Sequence, residues 1–140
     1  MGFAEIHPLV IHFPIALLSV GFLCDVLGFV FQKKSLENAG WWNLVFGVFT
    51  SICAIITGLI ADLGSNPRLI DEPFPFHENH AYLQILVVCV FLLLMVYRVK
   101  LRQSIPLDSK TSLMYLCVLG ITVGILFYGS HLGAVESGRI

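Results

Sequence analysis

The sequence predicts an all-α membrane protein: a four-transmembrane-helix, up-down-up-down bundle with both termini periplasmic or outside. Three observations predict it. First, 57% of the 140 residues are hydrophobic and 12% are charged, against ~25% charged in an ordinary soluble domain. A soluble fold of this size must show too much surface to water to hide that apolar content. Second, the apolar residues gather into four runs, each near the ~20 residues that cross a bilayer core as a helix. Third, the basic residues fall mostly in alternate linkers.

The first run is Pro8 to Phe31. The residues before it carry no basic n-region, and it exceeds a signal h-region, so it reads as a span and not as a leader. The second run is Trp41 to Leu63, the third His80 to Tyr97 and the fourth Leu113 to His131. Membrane strands are about half as long and alternate in polarity, which these runs do not. Helices satisfy their own backbone groups in lipid. The expected linkers are Gln32 to Gly40, Gly64 to Asn79 and Arg98 to Ser112, within one membrane domain over residues 1–140.

Four spans place both termini on one side, here side A. Side B then holds Lys33, Lys34, Arg98, Lys100, Arg102 and Lys110, and side A holds Arg68 and Arg139. The positive-inside rule makes side B cytoplasmic and side A periplasmic or external, as in a multi-pass protein of a bacterial inner membrane. Trp41 and Trp42 open the second span where an interfacial aromatic belt belongs. The net charge of −1 gives no footprint for nucleic acid. Cys24, Cys53, Cys89 and Cys117 form no C-x-x-C or C-x-x-C-H motif; they read as small buried hydrophobes.

All five histidines map to side A. His7 and His12 begin the first span, His77 and His80 precede and open the third, and His131 ends the fourth. His7 and His12 are about 140° apart on a regular helix, although Pro8 and Pro14 leave their local geometry open. His77 also fits a solvated, proline-rich loop, and the other four fit polar residues at the interface. An imidazole inside the apolar zone is costly without a partner, however. Bundles commonly hold haem and metals between facing helices.

All-imidazole ligation suits haem iron or copper. His77-Glu78-Asn79-His80 lacks the spacing of a zinc hydrolase helix. Gly47, Ser51, Ala54, Gly58 and Ala61 form one small-residue stripe, and Gly120 with Gly124 forms another. These serve either close helix packing or room for a porphyrin. Asp62 is placed to fix a ligand's tautomer, or is a plain interfacial carboxylate. Asp25, inside the first span, is a proton-relay candidate or reaches Lys33 or Lys34. Glu5, Asp62, Asp71, Glu72, Glu78 and Glu136 make side A acidic, which suits a basic soluble partner or simply solvated loops.

His7-Pro8-Leu9-Val10-Ile11-His12-Phe13-Pro14-Ile15-Ala16-Leu17-Leu18 resembles the H-P-x-x-V-H-F-P-I-A-L-L opening of the bacterial membrane family called domain of unknown function 2231, with Ile11 in place of the family's valine. Thr57 to Leu63 is similar to that family's second-helix ending, with one added residue before Asp62. His80-Ala81 and Tyr128-Gly129-Ser130-His131-Leu132-Gly133 are similar to its third-helix start and fourth-helix end, though the usual following L-V-Y is missing. The resemblance carries over to His7, His12, His80 and His131; His77 matches nothing in it. Some members are joined to Rieske-type or c-type cytochrome domains, which implies redox work near the outer membrane surface. It is an analogy from family to function.

The expectation is a membrane cytochrome with one or two b-type haems near side A. His12 would pair with His80 or His131, and His7 would serve a second haem. The role is electron transfer, with a quinol, a periplasmic redox protein or a larger respiratory complex as partner. No catalytic nucleophile or acid–base pair is evident, so the chain is read as a carrier or subunit and not as an enzyme on its own. A copper or zinc site and a structural subunit are the competing readings.

Overall fold

The computed structural model describes residues 3–65, 80–101, 105 and 109–136, with side chains placed for 10–60, 80–101, 105 and 110–135. Every regular element among them is a helix: α1 Phe3–Phe31, α2 Lys34–Ser65, α3 His80–Lys100 and α4 Ser109–Glu136. Each contains a stretch long and apolar enough to cross a membrane: Val10–Phe31, Lys34–Ile60, His80–Lys100 and Lys110–Val135. The outward surface is apolar, with Phe13, Val30, Phe49, Leu93 and Ile121 among its exposed side chains. In water this coat would drive aggregation; in lipid it is solvated.

The first expected linker, Gln32 to Gly40, is nearly all helix. Gln32 adopts a left-handed φ of 52°, and Lys33 N donates to Gly28 O at 3.1 Å. This is a Schellman ending, which satisfies an orphan carbonyl and turns the chain sharply. Lys33 O then accepts from Leu36 N and Glu37 N at 3.1 and 3.3 Å, which starts α2 seven residues earlier than expected. Lys34 Nζ bridges Glu37 at 2.9 Å one turn later. Turn chemistry, not hydropathy, sets this boundary: the polar Lys34, Ser35 and Glu37 of the first helical turn lower the local hydropathy without stopping a helix. Similarly, α3 runs on to Lys100, and α4 begins at Ser109 and continues to Glu136.

Close contacts fix an antiparallel order around the bundle. A Cβ at Gly21 would meet Asn43 Cβ at 3.1 Å, and one at Gly28 would meet Glu37 N at 3.0 Å. Those approaches seat α1 on α2. Gly120 receives Phe22, which seats α4 on α1, and Gly129 receives Gln84, which seats α3 on α4. Leu18, Leu44, Val48, Val87, Phe91, Leu119, Val123 and Leu126 fill the centre. The stripe on α2 serves packing where side chains are described: Gly47 lies against Leu18, whose Cδ2 would stand 2.6 Å from an added Cβ, and Ser51 and Ala54 are buried.

Two expectations are corrected here. The cysteines are not uniformly buried: Cys89 and Cys117 are exposed on the outer surface, and Cys24 and Cys53 are half-buried. Trp41 does not sit in an interfacial belt at a helix start. It lies inside α2 and is buried, whereas Trp42 is 55% exposed.

Candidate functional site

A buried, multiply bonded polar group among the described residues lies toward side B. Asp25 of α1 is 1% exposed and Arg98 of α3 is fully buried. Arg98 Nη1 donates to Asp25 Oδ1 at 2.9 Å and to Oδ2 at 2.7 Å. Arg98 Nη2 donates to Glu37 O at 3.0 Å, and Tyr115 Oη donates to Asp25 Oδ2 at 3.2 Å. The Trp41 and Tyr115 rings each lie 5.8 Å from the guanidinium carbon, which is cation–π range. One arginine thus touches all three other helices.

This arrangement corrects two readings. Asp25 reaches neither Lys33 nor Lys34; its partner comes from the third span. Arg98 is not a solvated linker charge, because burial between helices neutralises it with Asp25. Lys33, Lys34, Lys100, Arg102 and Lys110 remain on side B against Arg68 and Arg139 on side A, so the charge bias stands without Arg98. Gly40 makes room for the pair, since an added Cβ would overlap Asp25 Oδ1. Sequence reasoning had both charges but paired neither with the other, because they are 73 residues apart. An aspartate and an arginine of equal depth in two spans were the available signal.

The second group lies toward side A. His12 and His131 are exposed, and His80 is half-buried. Phe22 on Gly120 sets the register of α1 against α4. His12 lies ten residues from Phe22 toward side A, and His131 eleven from Gly120 in the same direction. At 1.5 Å per residue, they stand about 15–17 Å from that contact, hence at about the same depth. Eleven residues also bring His131 to within about 20° of the Gly120 direction, on the side of α4 that meets α1. His12 is about 180° around α1 from Gly21, which faces α2, and about 80° from Phe22. The two imidazoles therefore flank the outer side of one seam, between α1 and α4.

His80 belongs to a different seam. Its Cδ2 would stand 3.2 Å from a Cβ at Gly133, and Gly133 is about 200° around α4 from His131. His80 and His131 thus lie on opposite sides of α4, and regular helix spacing puts His12 toward the seam that His131 borders. Among the described residues, no group of three or more His, Cys, Asp and Glu side chains is gathered as an ion would need. His7 and Asp62 lie within α1 and α2, but their side chains are outside the described set, and His77 lies wholly outside the described residues. Gly124, seven residues from His131 on the same face, has nothing within 4 Å of an added Cβ. Unlike Gly47 and Gly120, it leaves open space.

Four apolar helices, joined across their centre by a buried ion pair, define a multi-pass integral membrane protein. Its chain matches over residues 4–137 the family described as predicted membrane protein (DUF2231). The protein belongs to that family. No curated protein and no solved structure matches it.

Proposed function

We propose that the protein is a b-type haem-binding membrane subunit that transfers electrons near side A, with His12 and His131 as the residues that would hold the haem. The observation that carries the reading is the common depth of these two imidazoles on the outer side of the α1–α4 seam. Two imidazoles at one depth on adjoining helices supply a matched donor set. Gly124 leaves space on the same face, which suits a flat ring. The donor set fits a haem iron, which takes one imidazole on each face.

Haem held in this way would supply one-electron chemistry and leave no open position for oxygen. His12 and His131 would hold the iron and fix its depth, and the surrounding apolar side chains would exclude water. The site's depth supports exchange with a quinol or a redox partner at the side A surface. The excess of basic residues on side B supports a periplasmic or external side A, in a bacterial inner membrane.

The test is an absorption spectrum of detergent-purified protein, oxidised and then reduced with dithionite, with a pyridine haemochrome assay. A Soret band and b-type α-bands that vanish in both His12→Ala and His131→Ala, but persist in His80→Ala, are expected. A featureless wild-type spectrum from cells supplied with haem refutes the reading. Elemental analysis for copper and zinc then separates a metal site from a structural subunit.

A further inference from the structure

Trp41 stands beside the Asp25–Arg98 pair with a donor left over. Its side chain is 6% exposed, and its Nε1–H has no hydrogen-bond partner among the described residues. A buried N–H without an acceptor is costly, and folded chains seldom leave one. Turning the ring is no remedy. Its face meets the Arg98 guanidinium, whose central carbon is 5.8 Å from the ring centroid, and rotation would give up that cation–π contact.

The neighbouring groups define what is missing. Arg98 only donates. Tyr115 Oη already donates to Asp25 Oδ2 and accepts from Arg98 Nη1. Asp25 is the acceptor of the group. A carboxylate offers about four acceptor positions, and three are taken: Arg98 Nη1 reaches both oxygens and Tyr115 Oη reaches Oδ2. Gly40, the residue before Trp41, faces Asp25 Oδ1, which an added Cβ would overlap. The junction therefore holds a buried donor in need of an acceptor and, one residue away along α2, an acceptor with a position to spare.

An anion does not suit this place. The charges of Asp25 and Arg98 already match, and a further charge would stand unpaired in the interior. A metal ion does not suit it either, because an indole N–H has nothing to ligate with. Water brings an acceptor without a charge, and buried waters typically bond the polar groups a chain leaves unsatisfied.

We propose that one water molecule is built into the junction and accepts the Trp41 Nε1–H bond, with the spare position of Asp25 open to its own hydrogen. The bundle core at side B is then completed by protein and one captive water, sealed from the solvent outside. The site does not rest on the haem reading.

NMR of the full chain in perdeuterated detergent, with isotope-labelled indole nitrogens, tests this. The chain has two tryptophans, and Trp42→Phe, at an exposed position, assigns the Trp41 signal. The expected result is a dipolar cross-peak from the Trp41 N–H to a long-lived water, of similar size in wild type and Tyr115→Phe. That variant removes a hydroxyl whose exchange with solvent would relay such a peak. Ultraviolet resonance Raman of Trp42→Phe should show the Trp41 N–H mode at its hydrogen-bonded position. A bonded N–H without a water cross-peak would mean a protein acceptor and overturn the site. An unbonded N–H, or a cross-peak lost in Tyr115→Phe, would overturn it as well. No haem enters the measurement, so a failed cytochrome reading leaves its result unaffected.

Discussion

Replacing Asp25 by alanine removes one member of an ion pair that bulk water does not reach. Arg98 keeps the Glu37 carbonyl at 3.0 Å but loses both of its carboxylate bonds, at 2.9 and 2.7 Å. With Arg98 fully buried, the guanidinium cannot reach bulk water without displacing Trp41 or Tyr115. Breaking a buried pair on one side costs about 3–5 kcal/mol, a large share of the ~5–15 kcal/mol that holds a typical domain together. Arg98→Ala should cost a similar amount, since it strands the carboxylate. The double variant should cost much less than the two added, because neither charge is then left alone. Tyr115→Phe removes a hydroxyl bond to Asp25 at 3.2 Å and one accepted from Arg98 at 3.5 Å, and should cost about 1 kcal/mol. Reversible unfolding of the detergent-solubilised protein in increasing SDS reads these differences, with helix content by circular dichroism as the signal. The cycle should be insensitive to salt, because buried charges are screened little. Additive costs in the double variant, or an Asp25→Ala cost below about 1 kcal/mol, would refute the claim that this pair joins the helices.

Gly40→Ala should destabilise by about 1–3 kcal/mol in the same assay, because the added methyl overlaps the Asp25 carboxylate; Gly124→Ala, in open space, should be close to neutral. Trp41→Phe should leave stability within about 1 kcal/mol of wild type. Its buried Nε1 has no hydrogen-bond partner among the described residues, and a phenyl ring keeps a face for Arg98. Gln32→Gly should stabilise by about 0.4–1 kcal/mol, since Gln32 holds a left-handed φ that glycine adopts without strain. A membrane-permeant maleimide should label Cys89 and Cys117 faster than Cys24 and Cys53, matching their exposure, as peptide mass mapping would show.

The four spans were legible in the sequence because a run of ~20 apolar residues has few other uses. Helix ends were less legible. The nine-residue segment Gln32 to Gly40 looks like a loop by hydropathy, but the turn needs only a left-handed Gln32 and a capping Lys33 carbonyl. That His12, His80 and His131 fall toward one end of the described helices follows from span order. The register of α1 on α4 was not legible: it is set by Phe22 entering the notch at Gly120. Likewise, Gly47 and Gly124 are indistinguishable as letters, yet one is filled by Leu18 and the other is open. Arg98 was misread for a related reason. A basic residue near a span end normally turns to the headgroups, whereas the facing Asp25 and the Glu37 carbonyl hold this one inside.

The measurement that bears most directly on function is the reduced-minus-oxidised spectrum of wild type beside His12→Ala, His131→Ala and His80→Ala, all purified from haem-supplied cells. The account predicts a b-type spectrum in wild type and His80→Ala and its loss in the other two. A wild-type protein without a Soret band, or a spectrum that survives both His12→Ala and His131→Ala, would contradict it.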